Sequence, residues 1–208
     1  MNKYKVICFF IVLFISSPSY ATGNYTVYKM SDLELSQLPP FCQVWGRRDF
    51  VATDMWVKKL HIPSIHHLCK GLKHSNKVVT YLLGPIFKLK DNIKYGIQEY
   101  TYVLDRTTDY HKPLMPFIYV QRARLYISRV DLVPDANIYE DMTLAIDDYK
   151  AAIKINPKFV RAYVDLIEVY ARLKDRAGMI TILKIGLENI PESKTLLKKK
   201  KKYNINFN

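Results

Sequence analysis

The chain reads as all-α, a short solenoid of about three helix–turn–helix repeats after an irregular N-terminal segment. Three observations predict it. Apolar residues recur at three- and four-residue steps in successive segments from Ser64 onward, the spacing of one buried helix face. Pro157 and Pro191 lie 34 residues apart, and each follows a helical pattern ending in Asn156 or Ile190. Glycine is scarce at 7 of 208 residues while tyrosine reaches 16, which suits packed helices and argues against disorder.

The chain begins with Lys3 and Lys5, an apolar run from Val6 to Ile15, and a small-residue exit with Ser19 and Ala21. These are the three parts of a secretory signal peptide, and the run is short for a bilayer span. Cleavage is expected after Ala21, giving a leader over 1–21. The alternative is an uncleaved anchor. The leader's style suggests a bacterial host, and an exported protein of the periplasm or cell envelope. Loss of Lys3 and Lys5 takes the net charge from +13 to +11. A basic exported protein meets anionic lipid, acidic polysaccharide or acidic protein, and nucleic acid is not expected there. A monomer is expected.

Residues 22–63 form the irregular segment. Thr22 to Gln37 is polar and expected to be extended or partly loose. Leu38-Pro39-Pro40-Phe41-Cys42 is stiff, because proline fixes its own φ and biases the residue before it. Gln43 to Leu60 carries Trp45 and Trp56, which read as buried anchors, and leaves room for a short helix. Cys8 goes with the leader, so Cys42 and Cys69 remain. An even count in an oxidising compartment reads as one disulfide.

The helical region spans 64–191. Ile65, Leu68, Cys69, Leu72, Val79 and Leu82 mark a first helix, and Gly84-Pro85 ends it. Ile86, Ile93, Ile97, Tyr100, Val103 and Leu104 mark a second. A turn from His111 to Pro113 leads to a third with Phe117, Val120, Ala123, Leu125, Tyr126 and Ile127. After a loop from Asp131 to Ala136 come Ile138–Ile155, Phe159–Leu173 and Arg176–Asn189. Residues 192–208 form a basic cap and tail. A seventh helix from Glu192 to about Lys201 closes the stack, and Tyr203–Asn208 is expected to be loose.

Tyr119, Ala123, Tyr126, Ala145, Tyr149, Ala152 and Pro157 resemble the tetratricopeptide repeat pattern. A further repeat matches at Tyr163, Leu166, Tyr170 and Pro191, with Ile167 where the family has a small residue. The first repeat is degenerate, with Gly71, Gly96, Tyr100 and Val103 fitting and His67 and His74 in aromatic positions. The Leu38–Cys42 stretch together with His66–Leu72 also resembles exported bacterial repeat proteins, a likeness that implies no activity. The resemblance implies a non-catalytic scaffold for a protein or peptide partner in the cell envelope, with no cofactor. Its geometry places Asn76, Gln121, Arg124, Arg161, Asp165, Glu168 and Arg172 along a partner-binding groove. Leu68 and Leu72 stand where carboxylate-clamping relatives carry Lys and Asn, so that activity is not transferred.

Two other readings stay open. His66 and Cys69 are three apart on one helix face, and with Cys42 they could ligate zinc, although no paired ligand motif is present. Lys198, Lys199, Lys200, Lys201 and Lys202 form a solvated cap or a patch for an anionic membrane or polysaccharide. Catalysis has little support. Asp147-Asp148 is an adjacent pair that reads as a solvated face, and neither a nucleophile elbow nor a glycine-rich phosphate loop occurs.

Overall fold

The structure is a computed structural model, and it describes residues 30–80, 85–107 and 113–207. The leader and cleavage site at 1–21 lie outside the described residues, as do Leu82, Gly84 and His111. Among the described residues ten helices follow one another: α1 (Asp32–Ser36), α2 (Pro40–Gly46), α3 (Phe50–Leu60), α4 (Ile65–Thr80), α5 (Ile86–Arg106), α6 (Met115–Leu132), α7 (Ile138–Ile155), α8 (Val160–Arg172), α9 (Arg176–Asn189) and α10 (Lys194–Lys202). No strand occurs among the described residues.

The N-terminal segment differs from its expected irregular form. Its described part carries three short helices. The capping box of Ser31 and Glu34 starts α1. Pro40 stands in the first turn of α2. Proline has no N–H to lose there and its φ is already helical, so the Pro-Pro pair starts a helix inside a segment expected to be stiff and irregular. Asp49 caps α3 by accepting from the Ala52 N–H at 2.9 Å. His61 ends α3 in the left-handed region at φ 54°.

The remaining helices pair as hairpins. α4 packs on α5, α6 on α7 and α8 on α9. α5–α6 and α7–α8 contacts stack the hairpins, and α4–α6 and α6–α8 contacts bring the first helix of each hairpin to one side. That side is the groove. Side-chain caps from Asn137 and Asp175 start α7 and α9.

Tyrosines fill the joints. Tyr100, Tyr149 and Tyr163 are all almost fully buried. Gly71 lets α4 approach α5, because a Cβ there would lie 2.7 Å from the Tyr100 ring. Ile167 is fully buried and α8 still packs on α9. Gly186 supplies room at that interface, where a Cβ would sit 3.0 Å from Tyr163. Val79 and Ile86, read as packing residues, are exposed.

The tail is docked, contrary to the expected loose end. α10 lies on α8 and α9 with Leu196 buried, and Ile205 is 1% exposed. Arg176 holds the backbone down, donating to the Tyr203 carbonyl at 3.3 Å and the Asn204 carbonyl at 3.1 Å.

Candidate functional site: a charged groove along α4, α6 and α8

A cavity of about 540 Å³ opens on the side formed by α4, α6 and α8. All seven groove candidates line it: Asn76 from α4, Gln121 and Arg124 from α6, and Arg161, Asp165, Glu168 and Arg172 from α8. Helical spacing explains the α8 set, since Arg161, Asp165, Glu168 and Arg172 follow steps of four, three and four along one face. Tyr149 reaches the cavity from α7 as a buried floor, and Ser75, Ser128 and Val79 add to its walls. Sequence reasoning missed these. Tyr149 carries a packing signal that hides its place at the cavity, and Val79 has the spacing of a core residue.

Asp165 organises the centre. It accepts from Arg124 Nε at 2.8 Å across the α6–α8 joint and pairs with Arg161 Nε at 3.1 Å within α8. Among the described residues Arg124 makes its side-chain hydrogen bond through Nε. Its Nη2 is buried with no hydrogen-bond acceptor. Arg172 donates to Asp131 at 2.7 Å at one end of the groove. At the other end Asn76 donates to the Gln37 carbonyl at 3.3 Å, so the α1–α2 turn borders the site.

Glu168 is committed within the fold. It bonds Lys199, Lys202 at 3.0 Å and Tyr203 at 2.7 Å. Burial pushes its carboxyl up, but those donors outweigh it and hold the group at about 2. The groove is thus rich in arginine, with Asp165 already shared and Glu168 already occupied.

The same contacts redefine the lysine run. Lys199 and Lys202 serve Glu168, and Lys200 lies over the Phe207 ring at 4.6 Å. Lys198 and Lys201 face solvent. The run is in part an internal fastening of the tail, which a linear reading of five like charges cannot reveal.

Cys42 and Cys69 are joined, with S–S 2.02 Å and Cα–Cα 5.3 Å, so neither offers a thiolate to zinc. His67 pairs with Glu99 and stacks on Tyr102 at 3.6 Å between ring centroids. His74 Nδ1 meets Asn92 Oδ1 at 2.8 Å. Burial, then the charges of His67 and Lys70, pull the His66 imidazole down to about 4. Among the described residues no cluster of His, Cys, Asp or Glu is placed to hold a metal ion. No described helix is long and apolar enough to cross a membrane.

Asp147 and Asp148 part company. Asp147 is exposed, while Asp148 is 4% exposed and paired with Arg122, which corrects the solvated-face reading of both. Successive residues on a helix point about 100° apart, and Asp148 is the one that meets Arg122 of α6.

Neither a family model nor a curated protein matches the chain. Among solved structures, similarity is found to the first TPR of Spaghetti (RPAP3) bound to HSP90 peptide SRMEEVD. That match is 19% identical, covers 65% of this chain and 90% of the other, and has a TM-score of 0.41.

Proposed function

We propose that the chain is a non-catalytic scaffold whose groove seats an extended or helical segment of a protein partner. The observation that carries this reading is the cavity of about 540 Å³ with Arg124, Arg161 and Arg172 in its lining. Guanidinium groups at a cavity favour hydrogen-bond acceptors, and bonds to charged groups contribute about 1.5–3 kcal/mol each. Backbone carbonyls or a carboxylate of a peptide provide such acceptors, and Arg161 and Arg172 add charge nearby. The working place of this scaffold is the bacterial cell envelope. Support for that setting comes from the leader-like residues 1–21 alone.

A photo-crosslinking residue at Gln121 of the exported protein tests the reading. It captures a partner, and Arg124→Ala with Arg161→Ala lowers the yield about tenfold, the equivalent of one lost charge-assisted contact. An unchanged yield in the double variant overturns the proposal. So does capture only from a probe at Thr181, which lies outside the groove on α9.

A further inference from the structure

The first described helices hold a surface that the groove does not use. α3 buries none of its residues. Phe50, Val51 and Met55 are 73%, 76% and 67% exposed. Val51 and Met55 lie one turn apart on the outward face, and Phe50 extends the apolar stripe at its start. Soluble proteins seldom leave large apolar side chains grouped in water without use.

Charge frames this stripe. Arg47 and Arg48 are exposed immediately before it, in the turn between α2 and α3. Lys58 and Lys59 are exposed at its other end. The acids between them are already engaged. Asp49 caps the helix, and Asp54 pairs with Lys58 at 2.7 Å. Lys59 rides over the Trp56 ring at 4.7 Å.

The tip also has a firm base. Phe41 of α2 contacts Trp56 of α3 at 6.1 Å between ring centroids, and the Cys42–Cys69 bond ties α2 to α4.

We propose that the α2–α3 tip docks on an anionic phospholipid bilayer, with Phe50, Val51 and Met55 entering the interface and Arg47, Arg48, Lys58 and Lys59 meeting the headgroups. An apolar centre with cations at both ends suits a laterally continuous anionic surface, where long basic side chains reach the phosphates as the centre sinks below them. A protein partner would need carboxylates placed at both ends of one short helix. The surface is separate from the groove, so a docked protein leaves the groove free for its own partner.

The test uses the exported protein, purified, with vesicles of phosphatidylcholine with or without phosphatidylglycerol, at low and high salt. One variant carries Phe50→Ser, Val51→Ser and Met55→Ser; a second carries Arg47→Gln and Arg48→Gln; a control carries Lys198→Gln and Lys201→Gln. All are exposed positions, and circular dichroism checks that helicity is kept. Wild type sediments with the anionic vesicles at low salt, and either tip variant loses about tenfold or more of that binding. The control variant binds as wild type does. The proposal is overturned by no binding of the wild type, by equal binding to neutral vesicles, or by full binding of the serine variant. It is equally overturned if the serine variant turns a dimer into a monomer in sedimentation, since the stripe then pairs two copies of the chain.

Discussion

Arg122 and Asp148 form a two-point ion pair across the α6–α7 joint, Nε to Oδ2 at 2.9 Å and Nη2 to Oδ1 at 2.7 Å. The third arm of the guanidinium donates to Thr101 of α5 at 2.9 Å. One side chain on α6 therefore ties together three consecutive helices. Removing the acid strands a charge that is 16% exposed.

Asp148→Ala is expected to lower unfolding free energy by about 3–5 kcal/mol, the range for breaking a buried pair from one side. Asp147→Ala, one residue earlier, stays within about 0.5 kcal/mol of wild type. Urea unfolding of the two variants measures both. Equal losses would mean that the pair does not hold the joint.

Gly71→Ala is expected to cost about 1–3 kcal/mol by overpacking. The new methyl meets the Tyr100 ring at 2.7–3.0 Å, and that ring is fully buried with its hydroxyl bonded to Ser75 at 2.9 Å. Tyr100→Leu in the same background removes the clash. A double-mutant cycle in thermal unfolding then shows coupling between the sites.

Acid weakens the α2–α4 region through His66. Its folded value of about 4 lies below the ordinary 6.5, chiefly because of burial and then because of His67 and Lys70. Below pH 6.5 the unfolded chain takes up a proton that the folded chain refuses until about pH 4. Stability from this site is therefore complete above pH 6.5 and is lost as pH falls from there to about 4. His74, lowered mainly by burial, adds to the same slope. His66→Leu is expected to flatten the fall of the melting temperature across that window. A slope identical to wild type would rule His66 out as its source.

Long amphipathic helices were readable. The sequence places helices at Ile138–Ile155 and Arg176–Asn189, and α7 and α9 have those bounds. Short helices were not. α1 and α2 span 5 and 7 residues, too few to display a period, and α3 turns apolar residues outward, which reverses the usual sense of the pattern. The groove candidates came from the resemblance to the repeat family, which assigns positions on first helices, and all seven line one cavity. Their partners were not legible that way, because Arg124–Asp165 and Glu168–Lys199 join residues 41 and 31 apart. The tail's docking rests on Ile205 and Phe207, two apolar side chains among polar neighbours and too sparse to read in advance.

The docked tail has a consequence for the ancestry of such arrays. Arrays of this kind lengthen when a hairpin is duplicated and the copy stacks on the last one. Here α10 already lies on α8 and α9, with Leu196 and Ile205 sealed into the core and Glu168 claimed by two lysines and a tyrosine. A duplicate inserted after α9 would have to strip all of those contacts before making its own. A unit added at this end has to bring a copy of the α8–α9 face, Glu168 included, if α10 is to dock again, whereas substitution inside the groove leaves the cap in place.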